Sequence, residues 1–228
     1  MPALNAGALT TLAAAKEELG ITDSTQDDRL RRLINAATST INRYCGRVFS
    51  KATITDERQL LVGGPRAVVG RAPIVSITSI TIEGATTAID SSSYIRENDE
   101  AGVLYFKSGL PASGFHRGGI SQDRQPGTEA PILLFTYVGG YVTPAQADTG
   151  GAYAAATITL PDEIETACLD LVGYYNAHRG TGGTIASESL GDASVTYKDE
   201  DTGAGGAEVS IPAHIRARLN PYRRTFFV

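Results

Sequence analysis

The chain has 228 residues, of which 42% are hydrophobic and 20% charged, with 25 glycines and a formal net charge of −5. That length can bury a core in one large or two small domains, and this mixture excludes a wholly disordered chain. Arg216, Arg218, Arg223 and Arg224 fall in an acid-free end from Pro212 to Val228. Removing those four charges leaves −9 on the remainder, which argues against a protein that grips phosphate backbones.

The first predicted helix starts at Thr10 or Thr11 as N-cap, carries Leu12, Ala15 and Leu19 on one face, and stops at Gly20. A polar turn follows, in which Ser24 or Thr25 is expected to cap the next helix, with Asp27 and Asp28 in its first turn. That second helix is the clearest element. Leu30, Leu33, Ile34, Ala37, Ile41, Tyr44 and Cys45 recur at spacings of three and four, and Gly46 ends it.

The period then changes. Thr53 to Val62 mixes β-branched residues with charges, and Ile74 to Ile82 is rich in strand formers. Val75 and Ile77 alternate, as do Ile80 and Ile82, but the pairs are out of phase, so a bulge near Thr78–Ser79 is expected. Further strands are predicted at Tyr94–Ile95, Val103–Phe106 and Ile132–Val138, giving a small, mostly antiparallel sheet. Ser108–Ala130 and Thr143–Thr157 read as long loops.

Pro161 suits the first position of a third major helix, with Asp162, Glu163 and Glu165 in its first turn and Arg179-Gly180 at its end. A strand or arm is expected at Ser194–Tyr197, and Pro212 opens a short helix stopped by Asn220-Pro221. Helices at the ends and strands in the middle make the class α+β. The expected organisation is an N-terminal helical part of the core (1–49), a β-rich insertion (50–159), a core helix (160–180), and an extended C-terminal arm with a short terminal helix (181–228).

Reactive constellations are not evident. The glycine pairs lack the strand–turn–helix context and trailing Lys of a phosphate loop. His116, His178 and His214 have no ligand spacing. Ser113 does not sit in a nucleophile elbow. Cys45 and Cys168 lie in apolar helical patterns and read as reduced, buried thiols. Asp199-Glu200-Asp201 lacks the alternation of a calcium loop. No catalytic residue, cofactor or metal is expected. The N-terminus has no basic leader and no apolar run approaches the ~18 residues of a membrane span, so a soluble protein without a membrane partner is expected.

The ordered motifs resemble the phage head–tail connector, or adaptor, family. They begin with Leu9–Ile21 and continue through Asp27–Ala37 and Ile41-Asn42-Arg43-Tyr44-Cys45-Gly46-Arg47-Val48-Phe49. Ala72–Ile80, Tyr137-Val138-Gly139-Gly140-Tyr141, Leu160–Ile164, Ser189–Tyr197 and Leu219–Arg224 follow in the family's order. The resemblance implies a structural virion protein at the head–tail interface, present in the host cytoplasm during assembly. It would form a ring, commonly of twelve subunits, between the portal and a stopper or tail component. Genomic DNA would pass through without specific binding. Smaller relatives are mainly helical, so the β-rich insertion departs from the pattern.

Arg216, Arg218, Tyr222, Arg223, Arg224, Phe226 and Phe227 combine arginine with aromatics, the usual interface anchors, and are the expected contact with the portal or a neighbouring subunit. Two other classes stay open on the residues. One is a small cytosolic hydrolase with the Ser108–Ala130 loop over its site, marked by turnover lost on replacing His116 and Asp123. The other is a DNA-binding regulator using Arg29, Arg31, Arg32 and Arg43, marked by tight duplex binding at physiological salt.

Overall fold

The computed structural model describes residues 2–60, 65–107, 132–148, 152–177, 187–190, 193–196 and 211–224. The chain is α+β and divides into two compact units, Met1–Gly46 with Thr143–Val228, and Arg47–Val142.

In the first unit, helix α1 (Leu12–Glu18) opens at Thr11, whose hydroxyl accepts the Ala14 N–H at 3.1 Å, and closes before Gly20 at φ +64°. Helix α2 (Asp27–Cys45) differs at its start from the expectation. Its N-cap is Gln26, with no side-chain bond to the helix, because Asp23 draws away the Thr25 hydroxyl (2.5 Å) and N–H (2.8 Å). The first turn relies instead on Asp27 and Asp28 against the helix dipole. Gly46 ends α2 in the left-handed conformation, φ +64°, which glycine adopts without the penalty of a Cβ.

Leu30, Ile34, Ala37, Ile41 and Cys45 are buried along one side of α2. They pack with α4 (Asp162–Ala177), which buries Ile164, Ala167, Cys168, Leu171 and Val172. The remainder of the expected 161–179 helix, beyond Ala177, lies outside the described residues. Two buried hydroxyls tie the N-terminal segment to this pair. The Thr38 hydroxyl accepts the Leu9 N–H at 3.2 Å, and the Thr10 hydroxyl donates to the Glu165 carboxylate at 3.0 Å.

The stretch Thr143–Thr157, expected as a loop, contains a short helix, α3 (Pro144–Asp148). Thr143 accepts the Gln146 N–H at 3.3 Å while the Gln146 side chain accepts the Thr143 N–H at 3.2 Å. This is a reciprocal capping box with proline at the first helical position. This helix belongs to the first unit, and the second unit ends at Val142. The predicted strand near Ser194 is the second arm of an antiparallel hairpin, numbered here β7 (Ser187–Leu190) and β8 (Ala193–Thr196). The terminal helix α5 covers Ala213–Leu219 and runs into a 3₁₀ turn, Asn220–Tyr222.

The second unit holds two three-stranded antiparallel sheets where one small sheet was expected. One has the order β1 (Ala52–Leu60), β6 (Ile132–Gly139), β3 (Ile74–Ile82). The other has the order β2 (Arg66–Val68), β5 (Val103–Phe106), β4 (Tyr94–Asn98). They share a core. Ile74, Ile80, Leu133, Phe135 and Tyr137 from the first meet Ala67, Leu104 and Phe106 from the second.

The irregularity expected in β3 is present between Ile77 and Ser79, and a second one lies between Ile74 and Ser76. The second turns Val75 outward, 43% exposed, while Ile74 and Ile80 point into the core. Val75 thus does not share a face with Ile77 in the way simple alternation suggested.

Strand β6 ends on two glycines that the packing requires. A Cβ at Gly139 would lie 2.3 Å from the Arg71 carbonyl, and one at Gly140 (φ +95°) 2.5 Å from the Ser50 carbonyl. Gly140→Ala is expected to cost about 2–3 kcal/mol through backbone strain and displaced neighbours. Gly20→Ala, at φ +64° but in open space, should cost only about 1 kcal/mol. Urea unfolding of the two variants beside the wild type checks the ranking.

A docked basic and aromatic terminus as candidate interaction site

The candidate residues lie at the end of the chain, and the local sequence explains why they are held. Ile211, just before α5, and Ile215 and Leu219 on it recur at spacing four and are buried. They dock the helix against α4, which leaves Arg216 and Arg218 partly buried on its flanks. Arg218 Nη1 reaches Asp170 Oδ2 at 2.6 Å, an ion pair with side chains 37% and 29% exposed. At that exposure it contributes a fraction of a kcal/mol up to about 1 kcal/mol.

Beyond α5 the contacts turn to the end of α2. The Tyr222 hydroxyl donates to Glu163 Oε2 in the first turn of α4. The Tyr44 hydroxyl donates to Asn220 Oδ1 at 2.7 Å, and the Arg223 guanidinium stands 5.1 Å from the centre of the Tyr44 ring. The Arg224 N–H donates to the Cys45 carbonyl at 2.8 Å, satisfying an acceptor that the helix end leaves open. Of the seven predicted contact residues, the structure brings Arg218, Tyr222, Arg223 and Arg224 onto the chain's own α2 and α4. Arg216 lies beside them on α5. Phe226 and Phe227 lie outside the described residues.

Electrostatics follow from these neighbours. The bond to Glu163, together with burial, pushes the Tyr222 phenol up to about 12. Burial raises the Glu165 carboxyl above the usual carboxylate range, opposed by the bond from Thr10. Burial pushes the Cys168 thiol up to about 12, far from a nucleophile's range. His214 is exposed at the start of α5, and no group of three His, Cys, Asp or Glu among the described residues could hold a metal ion. Among the described residues no helix is long and apolar enough to cross a membrane. His116, His178, Ser113, Asp123 and Asp199-Glu200-Asp201 lie outside the described residues.

The sequence reading missed a cluster in the β-rich unit. The Arg47 guanidinium stacks 5.0 Å from the Phe49 ring centre and 5.8 Å from that of Tyr141, and donates to the Ala72 carbonyl. The Tyr141 hydroxyl donates to Glu100 at 2.7 Å, and burial first, then that bond, pushes its phenol up to about 12. A second network joins the Tyr137 hydroxyl to Glu57 at 2.5 Å, while the same oxygen accepts the Arg71 N–H at 2.9 Å. The signal for the first cluster was present as two motifs, Gly46-Arg47-x-Phe49 and Gly139-Gly140-Tyr141. Nothing in one dimension said that they meet.

These features define an α+β protein in which the conspicuous charged and aromatic groups act as packing and docking elements. Residues 8–119 of the chain match the family model described as head completion protein. That match supports reading the chain as a structural protein of the head–tail connector. In fold it is similar to a chain from "Neck of empty GTA particle computed with C6 symmetry". The TM-score is 0.53 at 13% identity, covering 100% of this chain and 95% of that one. It is also similar to a chain from "Neck of native GTA particle computed with C12 symmetry", with a TM-score of 0.51 at 13% identity and the same coverage, 100% and 95%. No curated protein matches it in sequence.

Because the folded pKa of Tyr222 is raised above the ordinary phenol value, its bond to Glu163 supports docking fully below about pH 10. That support is lost as pH rises through about 12. In an alkaline titration followed by phenolate absorbance, the 10 tyrosines should divide into ordinary and late groups. Tyr222→Phe should remove one tyrosine from the late group and leave the ordinary group unchanged.

Proposed function

We propose that the chain is an adaptor subunit that forms a ring, joining the portal to the stopper or tail component and lining part of the DNA conduit. The observation that carries this reading is the head completion match over residues 8–119. It is supported by likeness in fold, across the whole chain, to chains from particle necks, one of them computed with C12 symmetry. A dodecamer is the corresponding ring. The balance of charge supports passage of DNA without a grip on it: the chain carries −5 overall, and its basic end is held partly by acids of its own α4.

In this reading the protein catalyses nothing. It is present in the host cytoplasm only during assembly, before it joins the virion. The terminal segment bearing Arg216, Arg218, Tyr222, Arg223, Arg224, Phe226 and Phe227 meets the portal or the neighbouring subunit. Docking of α5 supports that role, because a segment already held against α2 and α4 gives up less conformational freedom when a partner binds.

Electron microscopy of the purified chain mixed with its portal tests the proposal. Rings stacked coaxially on the portal are expected, and a chain that stays monomeric and never joins the portal overturns it. Removing residues 211–228 should weaken that association at least tenfold if the segment is a contact. Portal binding unchanged by the truncation would take the segment out of the interface.

A further inference from the structure

Two outward faces of the helical unit carry unpartnered charge of opposite sign. On α2 the exposed positions are Arg32, Ala36, Ser39 and Arg43, a stripe directly opposite the buried Leu30–Ile34–Ile41 side that packs on α4. Arg32 and Arg43 make no ion pair or side-chain hydrogen bond among the described residues, unlike Arg31, which pairs with Asp28 at 2.9 Å. The two guanidinium-bearing positions are eleven residues apart, about 16 Å along the helix axis. Between them stand only small side chains, which let another surface come close.

A second face, built on α1 and α4, is acidic. Helix α1 runs beside α4 in the same direction. Thr10 bonds to Glu165 near one end, and a Cβ on Gly173 would lie 3.9 Å from Leu19 near the other. Exposed acids therefore mark both ends of this pair, Asp162 at the start of α4 and Glu17 with Glu18 at the end of α1. From Asp162 to Gly173 is again eleven residues, about 16 Å. Asp162 is explained by the helix N-terminus. Glu17 and Glu18 are not: they sit in the last turn of α1, where the helix dipole disfavours anions, and they have no cation partner among the described residues.

We infer that the Arg32–Arg43 stripe of one copy seats on the Glu17–Glu18 and Asp162 face of the next, forming the head-to-tail seam between subunits of the ring. The inference rests on the ring reading above and specifies its interface. Two different complementary patches on one subunit are what a closed heterologous ring requires. Matched spacing of the charges sets the register of the seam.

Charge swapping tests it. Arg32→Glu/Arg43→Glu and Glu17→Lys/Glu18→Lys alter exposed side chains, so each should keep the wild-type circular dichroism and melting point. Each alone should fail to assemble on the portal or to sediment as an oligomer. An equal mixture should recover assembly, because every seam in an alternating array then joins opposite charges between the α2 stripe and positions 17 and 18.

Rings formed by both variants alone, with wild-type rings present, overturn this seam and leave the ring reading standing. So does a mixture that stays unassembled. Absence of wild-type rings, alone or on the portal, overturns the ring reading itself. Should a reversal unfold the protein, Arg32→Gln/Arg43→Gln and Glu17→Gln/Glu18→Gln serve instead. Each is expected to weaken self-association at least tenfold, and unchanged association overturns the seam.

Discussion

The buried seam between α2 and α4 brings together stretches that the whole β-rich unit separates in sequence. Leu30, Ile34, Ala37, Ile41 and Cys45 on one side meet Ile164, Cys168 and Leu171 on the other, so residues 47–142 are an excursion between two halves of one core. Closing so long a loop costs entropy, but that cost grows only slowly with length, and a run of fully buried aliphatic side chains offsets it. Both ends of the chain then use this pair as a base: Leu9 and Thr10 bond to Thr38 and Glu165, and α5 buries Ile215 and Leu219 against α4.

The β-rich unit closes at its own base in a comparable way. The Tyr141 N–H donates to the Phe49 carbonyl and the Lys51 N–H to the Tyr141 carbonyl, each at 2.7 Å, so the strand leaving the unit is paired with the strand entering it. Arg47 then covers both aromatic rings with a single guanidinium. The close approaches at Gly139 and Gly140 follow from that pairing, since the returning backbone passes against Ser50 and Arg71 with no room for a side chain. An insertion whose first and last residues are clamped together interrupts a helical core without separating its halves.

Much of this was legible in sequence where a single period dominates. The 3.6-residue pattern of α2, the acids opening α4 and the phase slip in Ile74–Ile82 each have a local cause, and each is found in the fold. What could not be read was non-local. Two sheets share one core because strands β2 and β5 pair across more than thirty residues, and no alternation pattern encodes which strand is a neighbour. Thr143-Pro144-Ala145-Gln146 carried a local capping signal, but the surrounding Ala, Gly and Thr obscured it. The basic terminus stands out by its composition. That part of it folds onto Asp170, Glu163 and Tyr44 required coordinates.

The two thiols bear on how such a protein lasts once outside the cell. Cys45 and Cys168 are both buried, and burial pushes the Cys168 thiol up to about 12, which keeps it protonated near neutrality. Peroxide and disulfide exchange both act through the thiolate, so the sulfur at the centre of the α2–α4 seam is chemically silent in oxygenated surroundings. The joint is therefore chemically unchanged for as long as the helices stay packed.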